Sequence, residues 1–428
     1  MIIKICSENQ YLLDILNKNP NTDFGLYLKS LKNGTLIGNA VSPNEYEVFF
    51  QDTKKSYLPD DSNQIDFQSH CSPLLAMDMI SHLFRHLFPD KDVLSDTLIT
   101  WLGKTYKEVD NIPCTVSTST IFVDSGWVRD GVFLLSRYIK GVSLNHLKGD
   151  LYVLSVSADN VREALQIFTT ISLFINFTNK YSVDQYITED FIMKYVRIMT
   201  NINGLPYFVF YLFIKRVLRS PEQFKKIKPV FEAYFNNNVS FVFTDTQNSR
   251  KDFVCSNIDL KQDVLDFGCG EMDYVKKLLK KGFKNKYFAY DKEDFSYVFN
   301  RIKDREGAGN MVWVDNINDL KFSGQIILTE VIEHNTLEEA KELLIFIRDK
   351  FAFTKLFITT PNRDFNVNYV MDEDMRHDDH KFELNKEEFM ELVIDVFGNA
   401  TYSGLGDCVN GIYPTSAVVV DKNWMCNI

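Results

Sequence analysis

Two acids and an imidazole fall within five residues in "TEVIEH": Glu330, Glu333 and His334. A helical turn here would set them at i, i+3 and i+4, on one face. Two carboxylates brought together repel, and one of them takes a raised pKa unless a metal or a proton resolves the charge. A second imidazole, His380, follows 46 residues after His334 in "DHKFE". Two Glu and two His make an O,O,N,N set without thiolate. That set suits Mg²⁺ or Mn²⁺, with positions open for substrate oxygens, better than a closed structural zinc site. The bland alternative is the polar mouth of a sheet, where a Glu-His pair works without an ion.

A second group of residues lies in "VLDFGCGEMDYV". Asp266, Gly268 and Gly270 sit between an apolar run and a helix-period segment. Glycines let the chain turn tightly and approach a ligand closely. Asp273 stands where a full G-x-G-x-x-G would have its third glycine, so a dinucleotide is poorly supported. An acid beside Gly-x-Gly suits a cationic, amine-bearing ligand better. Asp291, 25 residues after Asp266, ends "KYFAYD" and can accept hydrogen bonds from both hydroxyls of a ribose.

These residues need a scaffold, and the second half of the chain provides its pattern. "DVLDF", "KYFAYD", "MVWV", "QIILT" and "KLFITT" are short apolar runs separated by helix-period segments such as "EMDYVKKLLKKG" and "TLEEAKELLIFIRDKF". Buried parallel strands alternating with helices predict an α/β doubly wound, Rossmann-like sheet over residues 253–428, with ligands at the carboxyl ends of its strands. Asp315 in "VWVDNI" follows the third run, and His334 and His380 fall on neighbouring loops of the same edge. "YFNNNVSFVFTDTQNSRKD" is the clearest joint, and residues 237–252 read as a linker. Residues 1–236 mix strand-like runs ("EYEVFF", "STIFVDSGWV", "LYVLSVSA") with helix-like ones ("PLLAMDMISHLFRHLF", "VREALQIFTTISLFINF"), an α+β domain. His82 and His86, four apart there, read as structural histidines, since no further ligand lies near them in sequence.

The bulk numbers narrow the class. At 428 residues the chain calls for two domains. Seven cysteines, an odd number with no C-x-x-C pair, argue against a disulfide framework and for a reducing, cytoplasmic setting. "MIIKICSENQ" is too polar for the core of a signal peptide, and "GLPYFVFYLFIK" reaches Lys215 too soon to span a bilayer. A net charge of −11 argues against a long nucleic-acid footprint, while contact with a single terminus or through a local basic patch stays open. The lysine-rich stretches 215–228 and 276–286 read as solvated helix faces.

Taken together, the two acids and "GCGE" resemble class I S-adenosylmethionine-dependent methyltransferases. That likeness implies that Asp266, Gly268 and Gly270 line the methionine end of the cofactor, that Asp291 binds its ribose and that Asp315 meets its adenine. "EVIEH", "TPNRDFN" and "DHKFE" in sequence are similar to the RNA 3′-terminal 2′-O-methyltransferase family of the Hua-enhancer type. The resemblance implies one divalent cation held by Glu330, Glu333, His334 and His380, gripping the 2′- and 3′-hydroxyls of the last RNA ribose. Glu333, His334 and His380 are the candidate catalytic residues, and which of them takes the proton is open. His377 rivals His380 for the fourth ligand place; the "DHKFE" slot favours His380. Leu384 replaces the family's usual tryptophan after "KFE", and Met272 its usual glycine after "GCGE". Bacterial members carry a long N-terminal domain and work in RNA repair with a polynucleotide kinase-phosphatase-ligase, which implies that partner here. The alternatives are a metal-independent small-molecule methyltransferase, or a scaffold of a repair complex whose methyltransferase half is vestigial.

Overall fold

The computed structural model describes residues 1–16, 25–31, 34–52, 71–88, 99–101, 104–106, 112–179, 189–369 and 375–422. The chain forms two compact units, Met1–Tyr234 and Phe235–Ile428.

In the first unit an eight-stranded antiparallel sheet is built from β1 (Ile2–Ser7), β2 (Gly25–Ser30), β3 (Gly34–Ser42), β4 (Glu45–Asp52), β5 (Cys114–Thr118), β6 (Ile121–Phe122), β7 (Val142–Lys148) and β8 (Leu151–Ala158). Its order is β7-β8-β5-β1-β4-β3-β2, with β6 beside β8. Besides a single turn at Leu12–Ile15, the helices of the unit among the described residues are α1 (Pro73–Leu83), α2 (Val161–Thr178), α3 (Glu189–Thr200), α4 (Tyr207–Val217) and α5 (Pro221–Tyr234). α2 is buried on nearly every side, which explains why its apolar pattern runs right round the helix. Its start is fixed by Asn160, whose side chain accepts from Glu163 N at 2.9 Å. The run "STIFVDSGWV" gives only the two-residue β6 before a 3₁₀ turn at Ser125–Trp127 interrupts it. α1 ends at Leu83, so His82 and His86 do not share a helical face. His86 Nε2 instead bonds the carbonyl of Ile15 at 2.9 Å.

The second unit is a seven-stranded sheet. Its strands are β9 (Val264–Phe267), β10 (Tyr287–Tyr290), β11 (Met311–Trp313), β12 (Ser323–Thr329), β13 (Ala352–Pro361), β14 (Thr401–Leu405) and β15 (Thr415–Asp421), in the order β11-β10-β9-β12-β13-β15-β14. β9 to β13 are parallel; β15 and β14 close the edge antiparallel. Strands covered on both faces need apolar residues at every position. Thus Ile326 and Leu328 pack with α9 (Leu337–Lys350) and α10 (Lys386–Phe397), whereas Ile327 packs with α6 (Thr246–Asn257), α7 (Asp273–Lys280) and α8 (Ser296–Glu306). Both α9 and α10 open with complete capping boxes, Thr336 with Glu339 and Asn385 with Glu388.

Residues 237–252, read from sequence as a linker, are built into this second unit. Val239–Ser240 pairs with Cys408–Val409, Val242 N donates to Asp407 Oδ1 at 2.7 Å, and α6 covers one face of the sheet. Polar composition hid this, because α6 buries little beyond Val254 and Cys255.

Candidate active site

From β9 the chain moves outward to β10 and β11, then returns to the other side of β9 to make β12. The carboxyl ends of β9 and β12 therefore flank the switch point, where open α/β sheets bind ligands. The Gly268–Gly270 turn and the Glu330–His334 turn meet there. Gly268 has φ +80, and a Cβ built on it would lie 2.4 Å from Val331 Cγ2. Only glycine lets the two turns approach so closely.

On the cofactor side, Gly270 N donates to Asp291 Oδ2 at 2.9 Å, and Glu293 N to Asp291 Oδ1 at 3.0 Å. Gly268 N and Cys269 N both donate to Tyr290 O, at 2.8 and 3.0 Å. Asp266 is buried at the end of β9 and accepts a hydrogen bond from the Tyr287 hydroxyl. Burial raises its carboxyl to about 7, against the lowering effect of Tyr287 and with further help from the charges of Asp291 and Asp273. Asp315 is exposed just past β11. Met272, in the place of the family's glycine, holds the left-handed conformation at φ +56, and its side chain is fully buried.

Past β12 the backbone does not enter a helix. Glu330 takes a left-handed conformation at φ +53, and a single 3₁₀ turn spans Ile332–His334. The helical face expected for Glu330, Glu333 and His334 is therefore not formed, because Val331 packs into the space above Gly268. Glu330 faces instead toward Arg250, whose Nη1 donates to Oε2 at 2.8 Å, and Thr359, whose hydroxyl donates to Oε1 at 3.0 Å. Glu333, His334 and His380 do converge: one ligand atom from each lies within 4.8 Å of the others. Glu330 stands outside that group.

Glu333 is fully buried. Its Oε2 accepts from the Thr360 hydroxyl at 3.2 Å, while Oε1 has no hydrogen-bond partner. Burial, then the neighbouring Glu330, push its carboxyl well above the ordinary carboxylate range. The loop bearing His380 is tied to it by Lys381 N, which donates to Glu333 O at 2.7 Å. His380 is buried, and its Nδ1 lies 2.7 Å from Glu383 Oε1; His334 Nδ1 lies 3.2 Å from Asp379 Oδ2. His380 thus has its Nδ1 hydrogen-bonded and its Nε2 available, while His334 has a carboxylate within ion-pair distance of its Nδ1. The rings stack edge to face 5.1 Å apart, and the exposed His377 also packs edge to face on His380 at 5.1 Å. Leu384 is buried and paired with Asn362, so the place of the family's tryptophan is filled.

The group fits a divalent cation. A buried oxygen of Glu333 without a partner and the two imidazole Nε2 atoms, which take no hydrogen bond among the described residues, offer three ligand atoms close together. Sequence reasoning missed Arg250, Thr359, Thr360, Asp379 and Glu383. Of these, Asp379 and Glu383 flank His380 within "DHKFE" and Thr360 opens "TPNRDFN", whereas nothing local in the sequence points to Arg250.

A family model described as the Hen1 N-terminal domain matches residues 2–236, more than half of the chain. The chain belongs to the Hen1 family. It is similar over 99% of its length to a chain of the solved Pnkp1/Rnl/Hen1 RNA repair complex, with 41% identity, a TM-score of 0.88 and all of that chain covered. A second solved Pnkp1/Rnl/Hen1 complex gives 41% identity and a TM-score of 0.86, covering 98% of this chain and 100% of that one. Among curated proteins, the small RNA 2′-O-methyltransferase of Xenopus tropicalis is 35% identical over 71 residues, covering 17% of this chain and 19% of that protein. The small RNA 2′-O-methyltransferase of Tetrahymena thermophila is 34% identical over 127 residues, 26% of this chain and 29% of the relative. The chain thus spans less than a third of the length of these curated relatives.

Proposed function

We propose that this chain transfers a methyl group from S-adenosylmethionine to the 2′-oxygen of the 3′-terminal ribose of RNA. It acts in repair of cleaved RNA, alongside a polynucleotide kinase-phosphatase-ligase. The observation that carries this reading is the convergence of Glu333, His334 and His380 beside the Gly268–Gly270 turn. The activity of the matching curated relatives and the RNA repair complexes holding similar chains support it.

Asp266, Gly268 and Gly270 receive the methionine end of the cofactor, Asp291 its ribose hydroxyls and Asp315 its adenine. Asp291 keeps lone pairs beyond the two that its backbone donors use. Glu333, His334 and His380 would hold Mg²⁺ or Mn²⁺, with Glu330 as a fourth ligand through a carboxylate that Arg250 steadies. Bound there, the cation supplies Lewis acidity to the terminal 2′- and 3′-hydroxyls. The residues do the rest. Glu383 fixes the His380 ring, Asp379 lies beside His334, and the Thr360 hydroxyl holds Oε2 of the buried Glu333. Each Nε2 has a single lone pair and cannot both ligate a cation and take a proton, whereas a carboxylate oxygen has two, so Glu333 Oε1 is the acceptor for the proton of the 2′-hydroxyl. Such a site reads one ribose and needs few phosphate contacts, which suits a chain of net charge −11.

The test is methyl transfer from labelled S-adenosylmethionine to a short RNA ending in ribose or in 2′-deoxyribose, with Mn²⁺ or EDTA. Transfer to the ribose end alone, and only with Mn²⁺, is expected. Transfer that ignores EDTA would remove the metal from the reading, and no transfer would overturn it.

A further inference from the structure

The two histidines of the cluster are steadied differently. Asp379, beside His334, has a side chain 70% exposed, whereas the side chain of Glu383, beside His380, is fully buried. Solvent screens the first pair and leaves the second at nearly full strength. Glu383 is also held on every side. Its Oε1 accepts from Arg376 N at 2.8 Å as well as from His380, and its Oε2 accepts from Asn366 Nδ2 at 2.7 Å. Asn366 Oδ1 in turn accepts from Arg376 Nε at 2.7 Å, and Arg376 Nη2 donates to Asn362 O at 2.7 Å.

We infer that Glu383 is a positioning residue of the cluster: by accepting the Nδ1 proton of His380 it leaves Nε2 bare and aims that atom at Glu333 and His334. Because only donors surround Glu383, no neutral side chain of the same shape replaces it. A glutamine would turn an NH₂ toward His380, Arg376 N or Asn366, and one of those donors would lose its acceptor. An orienting carboxylate behind a ligating imidazole also makes the ring more basic, and its loss typically costs 10–100-fold in metal affinity. The screened Asp379 contributes little by comparison. The metal half of this inference rests on the cation reading above; the tautomer half does not.

Two measurements on the full chain test it. In the metal-free protein, ¹⁵N side-chain shifts of His380, assigned by comparison with His380→Ala, should show the Nδ1–H form; an Nε2–H form would overturn the proposal even if no metal ever binds. Mn²⁺ titration followed by electron paramagnetic resonance, without RNA or cofactor, should show Glu383→Gln about 10–100-fold weaker than the parent. Asp379→Asn should change by less than about threefold, since an exposed pair contributes little. S-adenosylmethionine affinity, unchanged in Glu383→Gln, controls for folding. Glu383→Gln should cost nothing further in a His380→Ala background. A parent-like Mn²⁺ affinity, or an equal loss in both backgrounds, would show that Glu383 does not act through His380. If the parent chain binds no Mn²⁺, the cation reading falls and the nitrogen shifts alone decide.

Discussion

Gly268→Ala puts the meeting of the two turns under strain, and its cost can be worked from the backbone. At φ +80 an L side chain is strained by about 1–2 kcal/mol. The new methyl would sit 2.4 Å from Val331 Cγ2, and relieving such an overlap in packed surroundings costs about 1–3 kcal/mol more. Loss of about 2–5 kcal/mol from the second unit is therefore expected, read from its calorimetric unfolding transition. Val331 also anchors the site: its carbonyl accepts from His334 N at 3.3 Å and from Asn335 Nδ2 at 2.8 Å. Pushing Val331 aside should weaken Mn²⁺ binding as well as cofactor binding. Val331→Ala removes the clashing methyl, so Gly268→Ala/Val331→Ala should recover the steric part, about 1–3 kcal/mol, and the Mn²⁺ affinity, but not the φ strain. If the two substitutions add within about 0.5 kcal/mol, the turns are not in contact and the reasoning fails.

Asp266→Asn tests the buried acid. Burial lifts its folded pKa to about 7, so the folded chain keeps a proton that the unfolded chain releases near 4; the resulting stability is present below that lower value and is lost as pH rises through 7. The asparagine variant should match the parent's melting temperature near pH 4 and exceed it at pH 8, and an equal gap at both would refute the assignment. Met272→Gly should destabilise by up to about 4 kcal/mol: losing a buried methionine costs about 2–5, offset by about 1–2 of released backbone strain. A rise in denaturant midpoint would show that strain dominates. Mn²⁺ at 100 times its Kd should stabilise the parent by about 2.7 kcal/mol, and Glu333→Gln should abolish the gain; thermal shift with and without EDTA reads both.

The five parallel strands were legible because burial on both faces demands uninterrupted apolar runs. β14, "TYSGL", is half-exposed at the sheet edge and carries no such run, so it left no trace. The site residues were legible by type: acids and imidazoles that no soluble core needs. Their partners were not, since Arg250 reaches Glu330 across 80 residues through the fold alone. The expected helical turn failed for a similar reason. Spacing alone allows a helix at Glu330–His334, but the close approach of Gly268 to Val331 decides against it.

The pairing of Val239–Ser240 with Cys408–Val409, reinforced by Asn410 N donating to Asn238 O at 2.7 Å, makes the segment after Phe235 part of the catalytic half. A gene cut at residue 253, where composition places the border, would discard Arg250 and strip Glu330 of the ion pair it makes beside Glu333. The unit of inheritance is therefore longer than the sheet. Recombination that preserves the chemistry has to break the chain ahead of Phe235, and the polar stretch that looks like a dispensable spacer is where a fusion would do most harm.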